Sequence, residues 1–246
     1  MTPGDAGRAS PGAALADLVA VMDRLRSPGG CPWDAEQTHA SLLPYAVEEV
    51  FEVVEAVEDG DRAALREELG DLLLQVVFHA RVAAEHPTEP FDIDDVAAGI
   101  AAKLRARHPH VFADVSVSGA EEVHRNWEVI KRAEKNRASA LDGIPRGMPA
   151  LARAEKVASR ARRAGLPVDD AAAEVTGGIT AGDGADDGAD LGRRLLALAL
   201  EAQAAGVDAE AALRAAVRDL ETALRRREPQ APPEGGGDDA SGESIG

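Results

Sequence analysis

Cysteine is almost missing from this chain: a lone Cys31 among 246 residues excludes an intramolecular disulfide framework and fits a reducing compartment. Aromatic side chains are scarce as well, at 3%, so packing must come from aliphatic ridges. No run of about 18 apolar residues occurs, so no membrane-spanning helix is expected. Residues Met1 to Pro11 lack the apolar stretch of a signal peptide. Positive charge is in deficit. With 44 acidic against 27 basic residues the net charge is −17, which argues against a nucleic-acid binder, whose surface must be basic. It leaves nucleotide substrates open, because a bound cation reverses the local field. The expectation is a soluble, cytoplasmic protein.

What is present is mostly Ala, Leu and Val, within an apolar share of 45%. Strong helix formers with little Ile, Thr or Tyr point to an all-α fold. Residues 1–12, rich in Gly and Pro, read as a flexible arm. Leu15, Leu18, Val19, Met22 and Leu25 recur at helical spacing, and Ser27-Pro28-Gly29-Gly30 ends that helix. Asp34 is placed to cap a short helix over 35–42, and a longer one is expected from about Pro44 to Val57. After Asp59-Gly60, Asp61 caps a third long helix to about Glu85. A connection this short implies an antiparallel pair. Asp92 or Asp94 starts a helix through Arg107, and another covers roughly 120–137. Past Leu141 a basic helix spans 150–164, residues 177–192 read as a loop or weakened helix, and a final helical pair covers about 191–205 and 208–227. The tail, 229–246, has the composition of a disordered segment. Leu195, Leu196 and Leu198 echo Leu72-Leu73-Leu74, a hint of internal duplication.

Ten carboxylates and two arginines stand between Glu48 and Asp71. Glu49 and Glu52 are three residues apart on one predicted helix, hence on one face. Glu68 and Asp71 repeat that spacing on the next. In an antiparallel hairpin the two pairs can converge, and four facing carboxylates need a cation to stay ionised together. A hard, oxygen-ligated ion such as Mg²⁺ suits them. Glu-rich helices are commonly solvated faces. Here, however, Val50, Val53 and Val54 flank the first pair, and Leu69, Leu72 and Leu73 the second. That places the acids at the edge of an apolar stripe with few basic partners. Gly70 leaves room for a helix or ligand beside Asp71. Two rivals use the same residues differently. Glu36 to His39 and Glu121 to His124 are Glu-x-x-His units of the kind found in di-iron bundles, but their chain order is wrong for that arrangement. The other rival is a nucleotide-sensing or scaffold dimer without turnover.

The string Glu48-Glu49-x-x-Glu52, fifteen residues, then Glu68-x-x-Asp71 resembles the metal-binding signature of the MazG family of all-α nucleoside triphosphate pyrophosphohydrolases. Further segments agree in order: Gly30-Cys31-Pro32-Trp33-Asp34 with Gln37-Thr38, Glu68-Leu69-Gly70-Asp71-Leu72-Leu73, Gln75-Val76-Val77-Phe78, Lys103-Leu104, Arg107-His108-Pro109-His110-Val111-Phe112, and Trp127 with Ile130-Lys131. The match covers about residues 15–164. The resemblance implies an antiparallel helical bundle, a homodimer, and hydrolysis of NTPs or dNTPs between the α and β phosphates to a nucleoside monophosphate and pyrophosphate. It assigns Mg²⁺, with Mn²⁺ as a substitute, to Glu49, Glu52, Glu68 and Asp71. Glu48 becomes an outer carboxylate that orients a ligand or accepts the proton of the attacking water. Lys103, Arg107 and Lys131 would neutralise the triphosphate. Trp127 would stack the base or anchor the core, and Trp33 and Gln37 would contact base or sugar. Cys31 reads as a packed small residue.

The chain also departs from that family. Two-domain members carry a second acidic motif, but here Gly178 stands where a glutamate is needed and Arg193 matches Asp71. An arginine supplies no oxygen to a cation. The expected organisation is therefore an arm (1–12), a catalytic domain (13–140), a degenerate helical half (141–228) and a tail (229–246).

Overall fold

The protein is described here from a computed structural model that covers residues 12–113, 115–119, 122–123, 127, 130, 138–177 and 187–228. Among these the regular structure is entirely helical, as the composition requires. They divide into two compact units, 1–131 and 132–246. The helix expected over 120–137 lies mostly outside the described residues, as do the arm and the tail.

The first unit holds α1 (Ala13–Arg26), α2 (Pro32–Glu36), α3 (His39–Asp59), α4 (Arg62–Ala83), α5 (Ile93–Arg107) and the single turn α6 (Pro109–Phe112). The turn after α1 depends on glycine. A Cβ on Gly30 would lie 2.2 Å from the Leu25 carbonyl oxygen, the same oxygen that accepts from the Cys31 amide at 2.7 Å.

Two boundaries differ from the sequence expectation. The chain is helical over Pro32–Glu36 and breaks at Gln37-Thr38, so Asp34 sits inside α2 instead of capping a helix over 35–42. The next helix then starts at His39, not near Pro44. Thr38 and Ser41 form a reciprocal capping box, each side chain bonding the other's backbone amide. That box nucleates a turn ahead of Pro44, which is left inside the helix without an amide to donate. The break also separates Glu36 from His39, so they are not an i, i+3 pair on one helix.

Gly60, at φ 71, closes α3 in the left-handed conformation that glycine adopts without strain. Asp61 then caps α4, its Oδ1 accepting from Ala63 and Ala64 at 2.8 and 3.0 Å. These devices turn the chain within two residues and lay α4 antiparallel along α3. The core gathers Met22, Leu42, Val77 and Phe78, with Leu18, Val19, Leu74, Val82 and Ile93 packed on it. Arg26 and Arg81 reinforce the α1–α4 contact, through Glu85 and Asp23 respectively.

The second unit holds α7 (Ala150–Arg163), α8 (Val168–Thr176), α9 (Asp187–Ala204) and α10 (Ala209–Arg225). The basic helix is not basic all round: Arg160 is buried, and its Nη1 donates to the Asp142 carbonyl at 2.8 Å. Helix α8 was not evident from apolar spacing; its signals are Pro167 before it and Asp169 and Asp170 in its first turn.

Candidate metal centre

Helices α3 and α4 bring the predicted acids together. One carboxylate oxygen from each of Glu49, Glu68 and Asp71 lies within 4.8 Å of the others, and all three residues are half-buried. Glu52, exposed on α3, stands beside this group, and its charge acts on both Glu49 and Glu68.

The electrostatics reflect this crowding of like charges. Glu49 is pushed above the usual carboxylate range, first by partial removal from water, then by its hydrogen bond to Glu52 and the charges of Asp71, Glu52 and Glu68. Glu68 is raised first by loss of water, then by the charges of Glu52, Asp71 and Glu67 and by the Glu52 hydrogen bond. Every side-chain charge in these two sets is negative, and among the described residues no arginine or lysine is among the causes. An all-oxygen donor set that raises its own pKa values fits a hard divalent cation. Glu67 was not singled out by the i, i+3 spacing, and its adjacency to Glu68 was the only available signal.

The other predicted residues are distributed unevenly. Glu48 is exposed on α3. Lys103 is exposed on α5, the helix packed beside α4, whereas Arg107 is buried with its guanidinium 5.6 Å from the Trp127 ring centre. Trp127 is half-buried and also approaches His108, with ring centres 6.5 Å apart, so Arg107 and Trp127 form one cation–π unit. Lys131 lies outside the described residues. Trp33 is half exposed and meets Tyr45 and Phe78 edge-to-face at 6.0 and 6.5 Å. Gln37 is buried and engaged at both ends: Nε2 donates to the Trp33 carbonyl at 3.0 Å, and Oε1 accepts from the Ser41 hydroxyl at 2.7 Å. Cys31 is a half-buried free thiol. Gly70 is open on its outer side, where an added Cβ would meet nothing within 4 Å. Among the described residues no neighbouring helix closes on it.

Fold and site together define an all-α protein with a carboxylate cluster on a helical hairpin, of the chemistry that takes a divalent cation. A family model described as the MazG nucleotide pyrophosphohydrolase domain matches residues 37–112, which contain the whole cluster. The chain is 49% identical over 219 residues to an uncharacterised 26.1 kDa protein from the blaB 3′ region of Streptomyces cacaoi, covering 89% of this chain and 84% of the relative. It is 50% identical over 169 residues to the nucleoside triphosphate pyrophosphohydrolase of Mycolicibacterium smegmatis, covering 68% of this chain and 51% of that protein. It is 51% identical over 152 residues to the Escherichia coli K12 protein of the same name, covering 60% and 57%. The chain thus spans about half the length of these named relatives. It belongs to the MazG family.

Proposed function

We propose that the protein hydrolyses nucleoside triphosphates, NTP or dNTP, between the α and β phosphates, releasing a nucleoside monophosphate and pyrophosphate. The convergence of Glu49, Glu68 and Asp71, with Glu52 acting on two of them, supports this reading most directly. The activity named for its relatives supports it independently.

In this reading Glu49, Glu52, Glu68 and Asp71 hold Mg²⁺, with Mn²⁺ as a substitute. The bound ion supplies charge neutralisation on the phosphates and a more acidic water. Glu48, exposed beside the cluster, orients a ligand of the site or takes the water's proton. Lys103 and Lys131 neutralise the outer phosphates. Arg107, held against Trp127, adds its positive charge to the same end of the site, and Trp127 supports the base. Trp33 presents an open ring face to base or sugar. Gln37, with its amide already engaged, positions Trp33 by bonding its carbonyl. The protein works in the cytoplasm as a homodimer on free nucleotides, without nucleic acid or membrane, and clears aberrant or surplus nucleotides.

Pyrophosphate release from a panel of NTPs and dNTPs with Mg²⁺ tests the reading, comparing wild type with Glu52→Ala and Asp71→Ala. Turnover by the wild type, with both variants reduced at least ~100-fold, is expected. Nucleotide binding without pyrophosphate release by the wild type would instead make the protein a nucleotide sensor or scaffold.

A further inference from the structure

A segment of helix α9 resembles α4. Asp190-Leu191-Gly192-Arg193, followed by Leu195 and Leu196, stands where α4 has Glu68-Leu69-Gly70-Asp71, followed by Leu73 and Leu74. The burial pattern follows the same register. Leu191, Leu195 and Leu198 are exposed, as are Leu69, Leu73 and Val76, while Ala199 (1%) is buried as Val77 (2%) is. An added Cβ would meet nothing within 4 Å at either Gly70 or Gly192. The following helices also begin alike, Asp92 capping α5 and Asp208 capping α10 through their side chains. The connection between the two helices is shorter in the second unit, because Asp208 follows Asp190 by 18 residues where Asp92 follows Glu68 by 24.

The chemistry differs at the positions that matter. In that register Arg193 replaces Asp71, and its Nη1 donates to Asp190 Oδ1 at 2.7 Å. The acid matching Glu68 is thus neutralised from within its own helix. Counted from the two capping aspartates, Asp219 stands at Lys103 and Ala223 at Arg107, so neither of those cations has a basic counterpart. Among the described residues, no three metal-ligating side chains converge in the second unit.

We propose that the second unit is a metal-independent copy of the first, in which the Arg193 guanidinium does for Asp190 what a divalent cation does for the acids of α3 and α4. Triphosphate chemistry is then confined to the first unit. The comparison rests on the metal reading of that unit, so the test separates the two.

Mn²⁺ binding to the full chain is followed by electron paramagnetic resonance for wild type, the Glu49→Gln/Asp71→Asn double variant and Arg193→Ala. Thermal melts accompany each titration. The wild type should bind Mn²⁺, and the double variant should lose all specific binding. Arg193→Ala should bind Mn²⁺ and turn over nucleotide like wild type, yet melt roughly 1–4 °C lower, a loss that Mn²⁺ does not recover. Specific Mn²⁺ retained by the double variant would overturn the proposal while leaving the first-unit site intact. A wild type that binds no Mn²⁺ would sink the metal reading of the first unit instead. The Arg193→Ala melt would then decide the proposal alone: a loss that Mn²⁺ does not recover supports it, and an unchanged melt overturns it.

Discussion

Two glutamates, Glu68 on α4 and Glu85 just past its C-terminal end, answer to opposite surroundings. Glu68 has acids around it and is pushed up. Glu85 is held below its usual range, first by its hydrogen bond to Arg26, with the charges of Arg26 and Arg81 acting against partial loss of water. Arg26 Nε and Nη2 meet its two oxygens at 2.8 and 2.9 Å, and Arg81 Nη1 adds a third bond at 2.8 Å. The Arg26 side chain is only 7% exposed, so its charge relies on Glu85. The carboxylate itself is half exposed, which reduces the effect through solvent screening. Glu85→Gln should therefore cost about 1–2 kcal/mol in a denaturant titration, and activity at saturating Mg²⁺ should survive. A midpoint unchanged from wild type would show that the α1–α4 clamp contributes nothing.

At the scale of the element, the α3–α4 hairpin is fastened at both ends. Gly60 and Asp61 fix the turn. At the open end His39 and His79 face each other, Nδ1 to Nδ1 at 2.8 Å with ring planes 7° apart. One imidazole donates and the other accepts, so the bond needs one neutral ring. His79 is lowered from its ordinary value of 6.5, first by burial and then by His39. A lowered folded-state value means that the unfolded chain takes up the proton first as pH falls. Stability is then full above about 6.5 and declines below it. Thermal melts between about pH 7 and pH 5 should show this slope, and His79→Gln should flatten it; equal slopes would remove the pair from the account. The sequence carried the hairpin clearly, because Asp59-Gly60-Asp61 names a turn and a cap and the apolar spacing names two helices. It did not carry the start of α3. Pro44 is a strong local boundary signal, and only the mutual bonds of Thr38 and Ser41 outweigh it. Likewise the acids were legible as i, i+3 pairs. The packing of Arg107 against Trp127 joins residues from different segments, which no local spacing reveals.

Across the whole molecule, apolar surface is left uncovered. Leu43, Val47 and Val50 on α3, and Leu69, Leu73 and Val76 on α4, are exposed at helical spacing. Burying such a stripe is favourable at about 25 cal/mol per Å². Together with the open space at Gly70, it supports the proposed homodimer. Light scattering should give twice the chain mass for wild type, and Leu69→Glu/Leu73→Glu should shift it toward the monomer. A wild-type monomer would leave the stripe to some other partner. None of the described helices is long and apolar enough to cross a membrane.

The central claim concerns which bond breaks. Resolving the products of one NTP by anion-exchange chromatography, with Mg²⁺ and then with excess chelator, tests it most directly. The account predicts nucleoside monophosphate and pyrophosphate in equal amounts from wild type, neither with chelator, and neither from Asp71→Asn. Nucleoside diphosphate with inorganic phosphate, or turnover that survives chelation or the loss of Asp71, would contradict it.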